Sequence, residues 1–156
     1  MARAATGIRH AECERDDVTV LLRSRGLRPT KARCRLLAHL LSTKLHPSAE
    51  EITGSLRGEG MEVGVATVYQ NLNRLVDAGL VRRLSGSDGR SRFDADISAH
   101  DHAVCESCGR ITDLELEPGV KRALDRATAG EKDLGQWLLT RTSVEVRGLC
   151  PECRAH

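Results

Sequence analysis

Four of the six cysteines fall in two Cys-x-x-Cys units, Cys105 with Cys108 and Cys150 with Cys153. A tight turn with two thiolates at this spacing grips one ion, and two such turns complete the tetrahedron that zinc adopts. The gap between the units exceeds the roughly 15–20 residues of a simple zinc ribbon. It leaves room for a strand, a helix and a returning strand, so a structural zinc is expected to clamp the two ends of one small module. Such an ion contributes about 10–16 kcal/mol at neutral pH. A redox dithiol and two unrelated pairs are the alternative readings. Cys13 and Cys34 have no partner in the pattern and read as plain buried or helix-surface thiols.

Directly before the first unit stands "HDHAVC". Imidazoles and carboxylates suit iron, manganese or zinc. Alternate residues of a strand share a side, so His100 and His102 face one way and Asp101 the other, and "HDH" is not a chelate by itself. Its ligand set must be completed from elsewhere. Asp94 in "RFDAD" and Asp113 in "ITD" lie on adjoining segments. His46 lies just before Pro47, where a residue that merely opens a helix is the ordinary alternative; His100 and His102 likewise have a reading without metal.

The elements that must position these groups follow from length and pattern. With 156 residues and 40% apolar content, the chain has material for one ordinary domain or two small ones. Only Tyr69, Phe93 and Trp137 are aromatic, so small cores would gain from a metal staple. The N-terminal stretch has no apolar run of the secretory kind, and none approaches the roughly 18 residues of a membrane helix. A cytosolic protein with reduced thiols is expected. Residues 1–92 carry 16 Lys/Arg and 10 Asp/Glu, a balance of +6, whereas residues 93–156 carry 8 and 12, a balance of −4. A basic and an acidic half suggest two modules with different partners, the basic one facing nucleic acid.

Residues 1–11 read as a loose arm. "DDVTVLLRSR" forms a short helix stopped by Gly26. Thr30 caps a second helix with Leu36, Leu37, Leu40 and Leu41 on one stripe. Ser48 with Glu51 forms a capping box for a third, whose Ile52 and Leu56 face inward. A fourth, Val65–Ala78, buries Val65, Val68, Leu72, Leu75 and Val76 and stops at Gly79. "LVRRLSGSDGRSRFDAD" then alternates around a Gly-Ser-Asp-Gly turn as a β-hairpin. Short helices followed by a hairpin describe a winged helix-turn-helix. The fourth helix would read DNA bases with Thr67, Tyr69, Gln70, Asn71 and Arg74, and Arg82, Arg83, Arg90 and Arg92 on the wing would meet phosphates. A merely solvated helix face is the alternative. Beyond the hairpin, "ITDLELE" reads as a strand, "PGVKRALDRATAG" as a helix and "WLLTRTSVEVRGLC" as a strand. The expected fold is α+β: a winged-helix domain over 1–92, a hinge over 93–98 and a small α/β dimerisation domain over 99–156.

Together, "HPSAEEI", "VATVYQNLNRLVDAGLV", "SRFD", "HDHAVCESCGRITD" and "CPEC" resemble the ferric uptake regulator family of dimeric, metal-dependent bacterial transcription factors, from about Asp16 to Cys153. The resemblance implies a repressor that binds double-stranded operator DNA as a homodimer, with no membrane partner. Cys105, Cys108, Cys150 and Cys153 would hold structural Zn(2+). His46, Asp94, His100, His102 and Asp113 would hold Fe(2+) or Mn(2+) in a regulatory site, and Tyr69 lies in the family's recognition-helix motif. Asp94 and Asp113, where iron-sensing members often have glutamate, resemble the peroxide-responsive subtype; there His46 and His100 match the histidines oxidised when peroxide meets the iron form. Ala99, Val120 and Thr142 imply loss of a further metal site found in many members. Gly64 stands where a capping serine is common, at a cost of a few tenths of a kcal/mol. An uptake regulator without peroxide sensing is the rival within the family. A zinc deaminase needs His-x-Glu and Pro-Cys-x-x-Cys, and the order here is wrong for it; a non-haem iron enzyme would need a co-substrate pocket that nothing here suggests. A zinc-stapled DNA-binding protein with no sensing role is the third rival.

Overall fold

In the computed structural model the described residues are 16–129, 136–138 and 142–155. The expected N-terminal arm and Cys13 lie outside them, as do residues 139–141 of the last expected strand. Four helices come first: α1 (Asp16–Ser24), α2 (Lys31–Ser42), α3 (Ala49–Gly58) and α4 (Val65–Asp77). The local signals account for their ends. Thr30 accepts a hydrogen bond from Arg33 N–H at the start of α2. Both bonds of the Ser48–Glu51 capping box are made. Gly79 has φ 66°, the left-handed conformation that ends α4 without strain. Strands β1 (Arg82–Ser85) and β2 (Ser91–Asp94) pair antiparallel from Arg82↔Asp94 to Ser85↔Ser91.

One core unites this half, from Val18 and Leu22 through Leu36, Leu37, Leu40, Ile52, Leu56, Val68, Leu72 and Leu75 to Phe93. Phe93 is fully buried, and β2 continues through it to Asp94, past the end expected for the first domain. Three details depart from expectation. Leu41 and Val65 are exposed, each at the margin of its helix's apolar stripe. Cys34 is buried in this core and disulfide-bonded, so it is not a plain thiol.

The second half is a three-stranded sheet, order β4-β3-β5, made of β3 (Asp101–Cys105), β4 (Ile111–Leu114) and β5 (Glu145–Gly148). β3 is antiparallel to β4 and parallel to β5. Helix α5 (Pro118–Ala129) connects them, and a one-turn α6 (Pro151–Arg154) follows. The buried apolar set is thin here, Val104, Cys105 and Ile111, while α5 and β5 bury no residue. Helices with two small sheets make an α+β fold. No described helix is long and apolar enough to cross a membrane.

The extended segment before α3 touches both halves. Leu45 bridges Thr112 of β4, and Ser48 bridges Arg92 of β2. Phe93 N–H donates to the Pro47 carbonyl at 3.0 Å. The segment therefore lies between the two sheets, and it carries His46.

Candidate metal centre

His46 is buried at this seam. Its Nδ1 lies 3.3 Å from the Ile111 carbonyl, and the Nδ1 of His100 lies 3.1 Å from the Ser98 carbonyl. A carbonyl only accepts, so each Nδ1 carries the proton and each Nε2 presents a lone pair, the arrangement that orients a metal-binding histidine. Asp94 ends β2. One of its oxygens, Oδ1, accepts from Asp96 N–H at 2.7 Å, leaving Oδ2 to face the histidines. His102 on β3 stands opposite Asp113 on β4 in register.

These groups meet. His46 Nε2 is 3.1 Å from Asp113 Oδ1 and 3.8 Å from Asp94 Oδ2, and His100 Nε2 is 3.2 Å from Asp94 Oδ2 and 3.3 Å from Asp113 Oδ1. His46, His100, His102 and Asp113 each offer a donor atom within 4.8 Å of the others; Asp94 closes the group through its contacts with His46 and His100. Despite this proximity, the facing atoms of all five are buried without a hydrogen-bond partner: the Nε2 of the three histidines, Asp94 Oδ2 and Asp113 Oδ1. A buried polar atom without a partner costs about 1–3 kcal/mol. Five in one place are explained by a common partner. Donors bound at about 2.0–2.2 Å to one ion stand about 3.0–3.6 Å apart, close to the separations here. Two carboxylates balance a divalent charge. Burial first, then the charges of His100 and His46, lowers the pKa of His102 from its ordinary 6.5 and favours the neutral ring that ligates. The site fits a divalent ion with no soft ligand.

Asp101 is not in this group. Its buried side chain turns the other way and accepts the Val144 N–H at 2.7 Å, tying β3 to the entrance of β5.

The four cysteines form the second group, with donor atoms within 4.8 Å of one another. Cys108 Sγ and Cys150 Sγ are 3.8 Å apart, the separation of about 3.8 Å set by tetrahedral Zn–S bonds of about 2.3 Å. N–H groups of Cys108 and Cys150 point at Cys105 and hold its thiol down to about 6. At Cys150 the Cys153 N–H pulls the same way, but burial and the neighbouring Glu152, Cys153 and Cys105 push that thiol up to about 12. Glu152, paired with Arg110, is held down to about 2 and ties α6 beside the cluster.

On α4, Thr67, Gln70 and Arg74 are exposed together. Tyr69 is half-buried, its hydroxyl donating to Glu50 at 3.2 Å. Asn71 departs from the expectation: it is buried, and its amide donates to the Thr67 carbonyl at 2.9 Å. Residue 71 falls on the inner side of the helix beside Val68, Leu72 and Leu75. On the hairpin, Arg83 and Arg90 are exposed, but Arg82 and Arg92 do not face outward as phosphate ligands. Arg82 donates to the Asp96 and Ser98 carbonyls and holds the loop between β2 and β3. Arg92 is buried against four segments. The alternation of "SRFD" suggested one outward face. Residues 92–94 are all buried, because β2 is covered on both faces: Phe93 packs in the helical core, Arg92 lies against Glu51, Asp88 and the Cys108 carbonyl, and Asp94 faces His46 and His100.

A family model described as "Ferric uptake regulator family" matches residues 24–135. The chain is similar to the peroxide-responsive repressor PerR of Staphylococcus aureus (strain Mu50 / ATCC 700699), 33% identical over 147 residues, 94% of this chain and 96% of that one. Among solved structures it is similar to the Vibrio cholerae ferric uptake regulator, with TM-score 0.71, 32% identity, and coverage of 85% of this chain and 98% of that one. It is also similar to the Pseudomonas aeruginosa ferric uptake regulator with manganese, with TM-score 0.68, 29% identity, and coverage of 85% and 97%.

Proposed function

Since the chain belongs to the ferric uptake regulator family, we propose that it is a metal-dependent, DNA-binding transcriptional repressor of the cytosol that responds to peroxide. The observation that carries this reading is the convergence of five unpartnered buried donor atoms, one of them from His46 on the segment between the two sheets. In this reading His46, Asp94, His100, His102 and Asp113 hold Fe(2+) or Mn(2+), and Cys105, Cys108, Cys150 and Cys153 hold Zn(2+) permanently. The division into a DNA-binding domain over 1–92, a hinge over 93–98 and a dimerisation domain over 99–156 belongs to the same proposal.

Tying His46 to the other four ligands fixes the winged helix relative to the rest. In a homodimer this selects the spacing at which two α4 helices meet successive major grooves. Moving such an equilibrium from 1:99 to 99:1 takes about 5.5 kcal/mol of differential binding, which a ligand set spanning a hinge can supply. Thr67, Gln70 and Arg74 form the reading face, with Tyr69 at its edge. Exposed Val120, Val146 and Leu149 on and beside α5 and β5 supply apolar surface for a second copy.

Peroxide sensing rests on the likeness to the peroxide-responsive repressor and on the carboxylate pair Asp94 and Asp113. Ferrous iron, when bound, supplies the electrons that peroxide takes up. His46 and His100 are the rings that would gain oxygen, and either loss would release the DNA-binding half. Likeness to a ferric uptake regulator solved with manganese favours a second reading, an uptake regulator without peroxide sensing. The two part on one result: under the first, mass spectrometry finds an added oxygen on His46 or His100 after the iron form meets peroxide; under the second, neither ring is modified. The broader reading is tested by DNA-binding titrations with manganese, iron, zinc and nickel, repeated with His100→Ala. Binding that needs metal and is lost in the variant supports it. Metal-independent binding by the unaltered chain defeats it.

A further inference from the structure

Arg92 is the charged side chain most at odds with its expected place, and its contacts reach four segments of the chain at once. One end of the guanidinium, Nη1, lies 3.3 Å from the His46 carbonyl and 3.2 Å from Glu51 Oε2, the carboxylate of the α3 capping box. The other, Nη2, lies 3.2 Å from the Cys108 carbonyl and 3.4 Å from Asp88 Oδ2 in the hairpin turn. The turn itself rests on the Cys105–Gly109 loop. Ser87 Oγ donates to the Cys105 carbonyl. Asp88 fills the space that a side chain on Gly109 would need, since a Cβ there would lie 2.4 Å from its carboxyl carbon.

We propose that Arg92 is a positioning residue that couples the four-cysteine centre to the histidine centre. This rests on the reading above that both centres bind metal. The coupling follows from geometry. The Cys108 carbonyl belongs to a turn whose shape is held by its thiolates once they share an ion. The guanidinium is planar and rigid, so Nη1 and Nη2 move together. A shift of the Cys108 carbonyl therefore reaches the His46 carbonyl through one side chain. The hydrogen bond from His46 Nδ1 to the Ile111 carbonyl fixes one side of the ring, and the carbonyl that Arg92 holds anchors the backbone from which Nε2 is carried toward Asp113 and Asp94. Ligating centres tolerate about 0.5 Å of error, and loss of an outer partner typically costs about 10–100-fold in metal affinity. A lysine keeps the charge but has one point of attachment and cannot span both carbonyls.

The test uses the full chain loaded with zinc. Manganese affinity is measured for the wild type and Arg92→Lys. The rate at which a maleimide modifies the four cysteines is followed by mass spectrometry with and without manganese. Where reclosing is fast, that rate tracks the population of the open cluster, and coupling between two sites acts equally in both directions. Manganese is expected to slow modification of the wild type about tenfold. In Arg92→Lys manganese affinity is expected to fall about tenfold, and the protection is expected to disappear. A merely structural role would speed modification with and without manganese alike and keep their ratio. Ser87→Ala removes the bond that seats the hairpin turn on the Cys105–Gly109 loop, which presents the Cys108 carbonyl to Arg92, and covers the case in which Arg92→Lys does not fold; it is expected to shrink the ratio. A wild-type ratio retained in the variant that folds, or no protection in a wild type that does bind manganese, overturns the coupling. A wild type that binds no manganese instead overturns the regulatory-site reading, and the coupling with it.

Discussion

Asp101 separates the two ways of reading "HDH". If it is a ligand, removing it weakens metal binding. If its work is the bond to Val144, removing it weakens the fold. The Oδ1···N distance is 2.7 Å, and His102 N–H donates to the Val144 carbonyl at 3.0 Å, so both sides of Val144 are held where β5 begins. From there β5 runs parallel to β3 from Glu145 to Gly148, ending beside Cys150. A hydrogen bond to a carboxylate is worth about 1.5–3 kcal/mol, and Val144 is half-buried, so water can partly replace the lost acceptor. Asp101→Ala is expected to destabilise the zinc-loaded, manganese-free protein by about 2 kcal/mol. That corresponds to a Tm lower by about 4–8 °C in a chain of this size. Urea unfolding followed by far-ultraviolet circular dichroism measures it. Asp101→Asn keeps the acceptor oxygen and should recover part of the loss. Manganese affinity of the Asn variant should equal that of the wild type, whereas His102→Ala should lose most of it. The reasoning is refuted if Asp101→Ala unfolds like the wild type while Asp101→Asn binds manganese as poorly as His102→Ala.

Three further outcomes follow from single contacts. Gly109 has φ 70°, and a Cβ there would collide with Asp88; Gly109→Ala should cost more than the roughly 1–2 kcal/mol of the left-handed conformation alone, read in the same unfolding assay, and an unchanged midpoint would contradict the packing. Gln70→Ala should relax base preference at one operator position by about 1–3 kcal/mol, whereas Asn71→Ala, which removes a buried bond, should cost about 1 kcal/mol of stability and leave that preference intact; selection from a random DNA pool by each variant distinguishes them. The pKa of His102 is lowered from 6.5 in the folded chain, so the unfolded chain takes up its proton more readily; its contribution to stability is full above pH 6.5 and is lost as pH falls through the folded value. Manganese needs the same neutral ring, so calorimetric titration should show affinity falling on acidification below pH 6.5, and affinity that rises instead would contradict the assignment.

Features governed by near neighbours in the chain could be read directly. The Ser48–Glu51 box, the glycine after α4 and the Gly-Ser-Asp-Gly turn each depend on a few adjacent residues, and each stands where its pattern put it. The paired Cys-x-x-Cys units were legible for the same reason. Donor types at His100 and His102 pointed to metal, but nothing local could bring His46 to them; that needed a resemblance, and in the structure it depends on one segment pairing with β4 on one side and β2 on the other. The same crossing explains Arg92. A basic residue on a hairpin reads as a surface cation until a separate segment covers it. Arg82 is drawn in likewise by the loop after β2, whose Asp96 and Ser98 carbonyls accept from its guanidinium. Asn71 lies three residues after Val68 and four before Leu75, on the buried face of α4, but a polar residue whose amide bonds to its own helix leaves no apolar signal there.

The central claim is that one ion is held between the two halves of the chain by His46, Asp94, His100, His102 and Asp113. Anomalous scattering from crystals loaded with zinc and manganese tests it most directly. The account predicts a zinc peak among the sulfurs of Cys105, Cys108, Cys150 and Cys153, and a manganese peak bonded to the three Nε2 atoms and both carboxylates. A manganese peak that lacks His46, or one that includes Asp101, would contradict it.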